Sequence, residues 1–110
     1  MTINDLCSKT ELKLVSGDAY GEREVNGAYA CDLLSWVIGR APEGAALVTV
    51  MTNVNVIAVA VMADLSCVIL TEGVTLDENA LQKAIQNEIA VLSSDKNTYE
   101  VCAMLSKVLD

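Results

Sequence analysis

Four short apolar stretches set the frame of this chain. Ala46–Val50 and Cys67–Leu70 are continuous apolar runs broken only by Thr49, Ala90-Val91-Leu92 is a third, and Val56–Ala63 lies between the first two. Runs of this length bounded by polar clusters read as strands buried on both faces, as in the middle of a parallel sheet. Val56–Ala63 is ambiguous by itself, because its Val and Ile favour a strand while Ala58, Ala60 and Ala63 permit a helix. Parallel neighbours need a crossover between them. If Ala46–Val50 and Cys67–Leu70 are parallel neighbours, Val56–Ala63 is the crossing helix, with Asn55 as its cap.

The last third has the clearest order. Cys67–Leu70 is followed by Thr71-Glu72-Gly73, and Thr75 and Glu78 fit a capping box that opens a periodic segment. Ala80, Leu81, Ala84, Ile85 and Ile89 share one face of that segment, and Gln82, Lys83, Gln86 and Asn87 share the other. After Ala90-Val91-Leu92, Asn97 and Glu100 repeat the capping pattern. They open a second helix whose stripe is Val101, Cys102, Leu105, Val108 and Leu109, with Lys107 near its end. Strand, loop, helix, strand, loop, helix is the pattern of a parallel α/β sheet. The fold class is therefore α/β: a single compact domain over residues 1–110, with a mainly parallel central sheet flanked by helices and additional N-terminal strands.

The N-terminal part is more irregular. Thr2 and Asp5 can cap a short helix, and Glu11–Val15 alternates as a half-buried strand. Gly17–Gly21 is a turn or a mobile loop. Glu24–Cys31 reads as a further strand, interrupted at Asn26-Gly27 by a tight hairpin or a bulge. Asp32 is a suitable cap for Leu33–Gly39, with Gly39 as its stop, and this short helix is apolar on more than one face.

Composition narrows the function more by exclusion than by assignment. Of 110 residues 53% are hydrophobic but only 4% aromatic, with no Phe, so the core is built from aliphatic side chains and the chain is not disordered. So much apolar surface on a small domain favours a homodimer. The net charge is −8, from 15 acidic and 7 basic residues, and residues 41–75 contain no Lys or Arg. Phosphate-backbone binding needs clustered cations, so neither nucleic acid nor an anionic membrane is an expected partner. The four cysteines form no CxxC pair and there is no His, so no metal site and no cofactor are implied. The thiols are expected to be buried and reduced. The chain begins without a basic segment leading into an apolar one, and Val56–Ala63 is too short to span a bilayer. Both point to the cytoplasm.

No segment reads GxxxxGK[ST] or GxGxxG, and triads that use His are impossible. Asp77/Glu78 and Glu22/Glu24 are the closest carboxylate pairs, but they read as a helix start and a solvated strand or loop. No catalytic residues are assigned. The loop Met51–Asn55 is either turn chemistry with a helix cap or one wall of a ligand cleft, since free amides at a helix start beside Asn and Thr can hold an anion or a ribose hydroxyl. Thr71–Gly73 and Ser93–Asp95 take the equivalent place after the next two strands. Thr52, Asn53, Asn55, Thr71, Glu72, Gly73, Ser93, Ser94 and Thr98 are the candidate ligand-binding residues of a nucleotide or metabolite sensor. Leu33, Trp36 and Val37 are the candidate interface residues, with Trp36 as readily core as interface.

The chain also resembles the DRTGG-domain proteins. The resemblance runs through Cys67–Gly73, the helix with Ala80 and Ala84, Ile89–Ser93 and Thr98-Tyr99-Glu100, which are similar to that family's "LTGG…A…IPVLST…TYE" run. Upstream, Asp32–Val37 and Leu47–Val50 look like its small stand-alone members, often labelled serine-kinase-like. Related domains accompany HPr kinase/phosphorylase-type proteins, phosphotransacetylases and the CBS modules of pyrophosphatases. Glu72 stands where the family commonly has glycine, and Thr52-Asn53-Val54-Asn55 stands in place of the Asp-Arg pair. The resemblance implies a compact, usually dimeric α/β domain with a regulatory or assembly role, alone or with a further protein partner, and no kinase activity of its own.

Overall fold

The continuous apolar runs form the centre of one sheet. Ala46–Thr49 (β3), Cys67–Leu70 (β4) and Ala90–Ser93 (β5) are parallel neighbours, with Ala46 opposite Cys67 and Cys67 opposite Ala90. Nearly every side chain in them is buried, because helices cover both faces. Two edge strands complete the order β1-β5-β4-β3-β2. Lys13–Ser16 (β1) joins β5 antiparallel, with a bulge between Leu14 and Ser16, and Ala28–Ala30 (β2) joins β3 in parallel. The computed structural model describes residues 1–16 and 18–109.

The connections β2–β3, β3–β4 and β4–β5 each carry a helix: Leu34–Arg40 (α2), Val54–Met62 (α3) and Glu78–Gln86 (α4). The strands advance in one direction across the sheet, and right-handed crossovers then place all three helices on the same face. Val37, Ile57, Ala60, Ala80 and Ala84 pack there against Leu47, Val68, Leu70 and Val91. Ile3–Lys9 (α1) and Thr98–Val108 (α5) cover the opposite face, where Ile3, Leu6, Val101 and Leu105 meet Val48, Ile69 and Leu92. The expected α/β architecture with its mainly parallel sheet is present, including the helix at Val56–Ala63. The N-terminal strands lie on opposite edges of the sheet.

Local details differ from the sequence reading for identifiable reasons. The capping boxes Thr2/Asp5 and Asn97/Glu100 both form. The one expected at Thr75/Glu78 does not: α4 starts after Asp77, whose carboxylate accepts from Thr52 Oγ1 at 3.4 Å and whose N–H donates to the Thr52 carbonyl. The cap of α3 is Asn53, not Asn55; its side chain accepts from the Asn55 N–H at 3.0 Å. Asp32 does not cap α2, since Leu33 occupies that position and Asp32 is drawn across to β3. Gly39 does not stop α2 but lies inside it; the helix ends at Arg40, with Ala41 as its cap before Pro42. Asn26-Gly27 makes neither hairpin nor bulge: Gly27 precedes β2 with φ 103°. Ile85 is 55% exposed, although the helical pattern puts it with the core positions. Of the cysteines only Cys67 is fully buried; Cys7, Cys31 and Cys102 are partly so. The stretch Asp18–Tyr20 is a short 3-10 turn, and Gly17 lies outside the described residues.

Candidate functional site

Parallel strands deliver their C-terminal ends to one edge of a sheet, where loops and helix N-termini gather. Here the ends of β3, β4 and β5 bring the three predicted loops side by side. The Thr71 N–H donates to the Thr49 carbonyl at 3.2 Å and the Ser94 N–H to the Leu70 carbonyl at 2.9 Å. The loops after β4 and β5 are laced together further out. Glu72 N–H donates to the Lys96 carbonyl at 2.8 Å, and Gly73 N–H to the Ser94 carbonyl at 3.0 Å. That interlock needs a left-handed backbone at two successive residues, with φ 62° at Glu72 and 69° at Gly73. Only glycine takes this conformation without Cβ strain, which is why a glycine suits position 72 so well.

The polar side chains at this edge are held mainly by one another. Thr71, fully buried, shares a 2.8 Å hydrogen bond with Thr98 at the start of α5. Ser94 Oγ donates to Glu11 Oε1 at 2.6 Å and accepts from the Lys96 N–H at 3.0 Å. Thr52 is bound to Asp77, and Asn53 to the first turn of α3. Ser93 belongs to β5, where it pairs with Lys13 of β1 and Leu70 of β4. Asn55, Glu72 and Gly73 are exposed. The candidate residues are thus brought to one edge, but Thr52, Asn53, Thr71, Ser94 and Thr98 are engaged within the fold. Among the described residues no buried polar side-chain atom lacks a partner. Glu72, Asp77 and Asp95 stand exposed on these loops with Lys96 as their cation, a field that repels polyanions. The Thr71–Thr98 pair contains no base to activate either hydroxyl. No cluster of three metal-ligating side chains occurs among the described residues.

Asp32 and Glu11 are the residues that sequence reasoning missed at this edge. Asp32 Oδ1 accepts from Thr49 Oγ1 at 2.7 Å and from the Val50 N–H at 3.0 Å, tying the end of β2 to that of β3. Their partners lie far away in sequence, so no local spacing signals either role. The candidate interface is split by the helix. Val37 is a core residue with no exposed surface, because it faces the sheet. Leu33 and Trp36 are about half exposed, and Arg40 stacks over the indole at 4.0 Å from its centroid. A cleft of about 330 Å³ lies elsewhere, between β2 and α5, lined by Ala28, Ala30, Cys102, Leu105, Ser106 and Leu109 among others.

Comparison with solved structures places this fold beside the CBS and DRTGG domains of the regulatory region of Clostridium perfringens pyrophosphatase, complexed with its activator diadenosine tetraphosphate. The two agree with a TM-score of 0.70 at 12% identity, over 98% of this chain and 47% of that one. The chain thus spans about half of that protein's solved length, and at this identity the agreement is one of fold. No curated protein sequence matches. Among the described residues no helix is long and apolar enough to cross a membrane. The DRTGG domain model matches residues 5–108. The chain belongs to the DRTGG-domain family.

Proposed function

We propose that this chain is a non-catalytic, cytoplasmic regulatory module that works by self-association as a homodimer, with the surface around Trp36 in the contact. One observation carries the reading. Leu33, Trp36 and Ile38 stand in solvent within a single short helical segment whose inward residue, Val37, already completes the core. Large apolar side chains grouped in this way on a small domain mark a contact surface. The family membership and the regulatory role of the solved relative support regulation over catalysis. So does the edge of the sheet, where the Thr71 and Thr98 hydroxyls pair with one another and no base stands in that pair. Light scattering over a dilution series, with Trp36→Ala alongside, tests the proposal. Loss of an interface anchor weakens association by about 2 kcal/mol or more, whereas loss of a purely structural residue lowers the unfolding midpoint without a specific shift in association.

A second reading, a sensor that binds a nucleotide or metabolite at the strand-end loops, draws on the activator complex of the solved relative. The exposed carboxylates of Glu72, Asp77 and Asp95 weigh against a polyphosphate at that edge. A thermal-shift screen that includes diadenosine tetraphosphate decides it. A ligand at about 100 times its Kd stabilises the native state by about 2.7 kcal/mol, and the assembly reading expects no such shift.

A further inference from the structure

The free edge of β2 has the chemistry to choose its own partner. In the β2–β3 register Ala28 lies opposite Ala46, Tyr29 opposite Leu47 and Ala30 opposite Val48. The Ala46 N–H donates to the Gly27 carbonyl at 2.9 Å and the Cys31 N–H to the Val48 carbonyl at 3.1 Å. Residues 27, 29 and 31 therefore face β3, and the N–H and C=O of Ala28 and Ala30 point away from the sheet. An open edge is usually blunted by a charge, a proline or a bulge. The opposite edge has two such devices, Lys13 and the bulge between Leu14 and Ser16 in β1. Residues 27–31 have none of these: Gly-Ala-Tyr-Ala-Cys carries no charge and no proline, and β2 runs in unbroken register, which leaves its length of three residues as its protection. The next carboxylate, Asp32, is bound to Thr49 and Val50 of its own chain.

We propose that β2 pairs antiparallel with β2 of a second copy, centred on Tyr29, so that two five-stranded sheets continue as one across a two-fold axis. The sequence Ala-Tyr-Ala is symmetric about Tyr29. In that pairing Ala28 of each copy meets Ala30 of the other, and each such pair exchanges two N–H···O=C bonds, four in all. Tyr29 meets its own counterpart in a non-hydrogen-bonded pair, as its backbone already faces β3. A second copy fits better than an unrelated strand on three grounds. Ala-Tyr-Ala sets only small residues opposite one another on either side of the axis, it carries no like charge across the axis, and it adjoins Leu33 and Trp36, exposed at the start of α2. On the other face, the exposed methyls of Ala28 and Ala30 form the floor of the cleft beside Cys102 and Leu109, leaving room for the partner's strand and helix to approach. The inference rests on the self-association reading and specifies its geometry.

Two variants and the wild-type chain test it by sedimentation velocity over a concentration series. Ala30→Pro removes an outward N–H and places a ring on the open edge, without touching the β2–β3 bonds. It is expected to raise the dimer dissociation constant at least about tenfold, with far-UV circular dichroism unchanged. Tyr29→Cys puts two thiols opposite each other at the axis, within the reach of a disulfide. Mild oxidation is expected to link the two copies through the introduced thiols, verified by peptide mapping against oxidised wild type. A wild-type dimer that Ala30→Pro leaves intact and Tyr29→Cys does not link overturns the edge pairing, while the Trp36 contact stands. A wild-type chain that is monomeric throughout overturns both, whatever strand from another protein the edge then accepts.

Discussion

Replacing Glu72 by glycine should make this protein more stable, even though it removes a side chain. Glu72 sits at φ 62°, and for an L-residue the left-handed region costs about 1–2 kcal/mol. Against this, glycine loses more backbone entropy on folding, about 0.5–1 kcal/mol. The backbone bond to the Lys96 carbonyl is kept, and the exposed Glu72 side chain has no hydrogen-bond partner to lose. The net is a gain of about 0.5–1 kcal/mol, a rise in Tm of roughly 3–5 °C for a domain of this size. Glu72→Gln removes the charge alone, so the difference between the two variants isolates the backbone term. The adjacent Gly73→Ala should act in the opposite direction by about 1 kcal/mol. Its φ is 69°, and a Cβ there would lie 3.3 Å from Asp95 Oδ1. Thermal and urea unfolding are to be measured at matched protein concentration, since self-association feeds into stability. A Glu72→Gly variant no more stable than Glu72→Gln would refute the strain argument.

Two further outcomes follow from single contacts. Asp32→Ala should destabilise the fold by about 2 kcal/mol, because it removes two hydrogen bonds to a carboxylate, one of them from the buried Thr49 hydroxyl. Asp32→Asn, which keeps an acceptor oxygen, should lose about half of that or less in the same urea titration. Burial pushes the Cys67 thiol from its ordinary 9.0 up to about 12, and burial also raises Cys7 and Cys102. Cys67 should therefore be the last thiol to react with a disulfide reagent at pH 8. Above pH 9 the unfolded chain releases this proton while the native state holds it, so stability should fall as pH rises from 9 toward 12. Cys67→Ala should flatten that limb of the profile.

The sequence was most legible where local and global preferences agree. The continuous apolar runs of β3, β4 and β5 left few alternatives for the sheet, and topology then resolved Val56–Ala63, which propensity alone did not. Two capping boxes were readable because both partners sit three residues apart. Asp32, Thr75 and Asn55 misled for a common reason. Each has the side chain of a cap, but the boundary was set by long-range contacts or by a rival residue, Asn53 for α3 and Asp77, held by Thr52, for α4. Convergence of the strand-end loops was also legible, since parallel strands enforce it. That Thr71 would pair with Thr98, and Ser94 with Glu11, was not: separations of 27 and 83 residues leave no periodic trace. The open edge of β2 escaped notice because Asn26-Gly27 looks like a turn inside a longer strand.

The central claim, that this DRTGG domain works as a pair, is tested most directly by its mass in solution as a function of concentration. Sedimentation equilibrium of the wild-type chain should give twice the 11.7 kDa chain mass at high concentration and a fall toward a single copy on dilution. Trp36→Ala should move that transition to at least about tenfold higher concentration at unchanged secondary structure. A wild-type chain that holds the mass of one copy across the whole range would contradict the account.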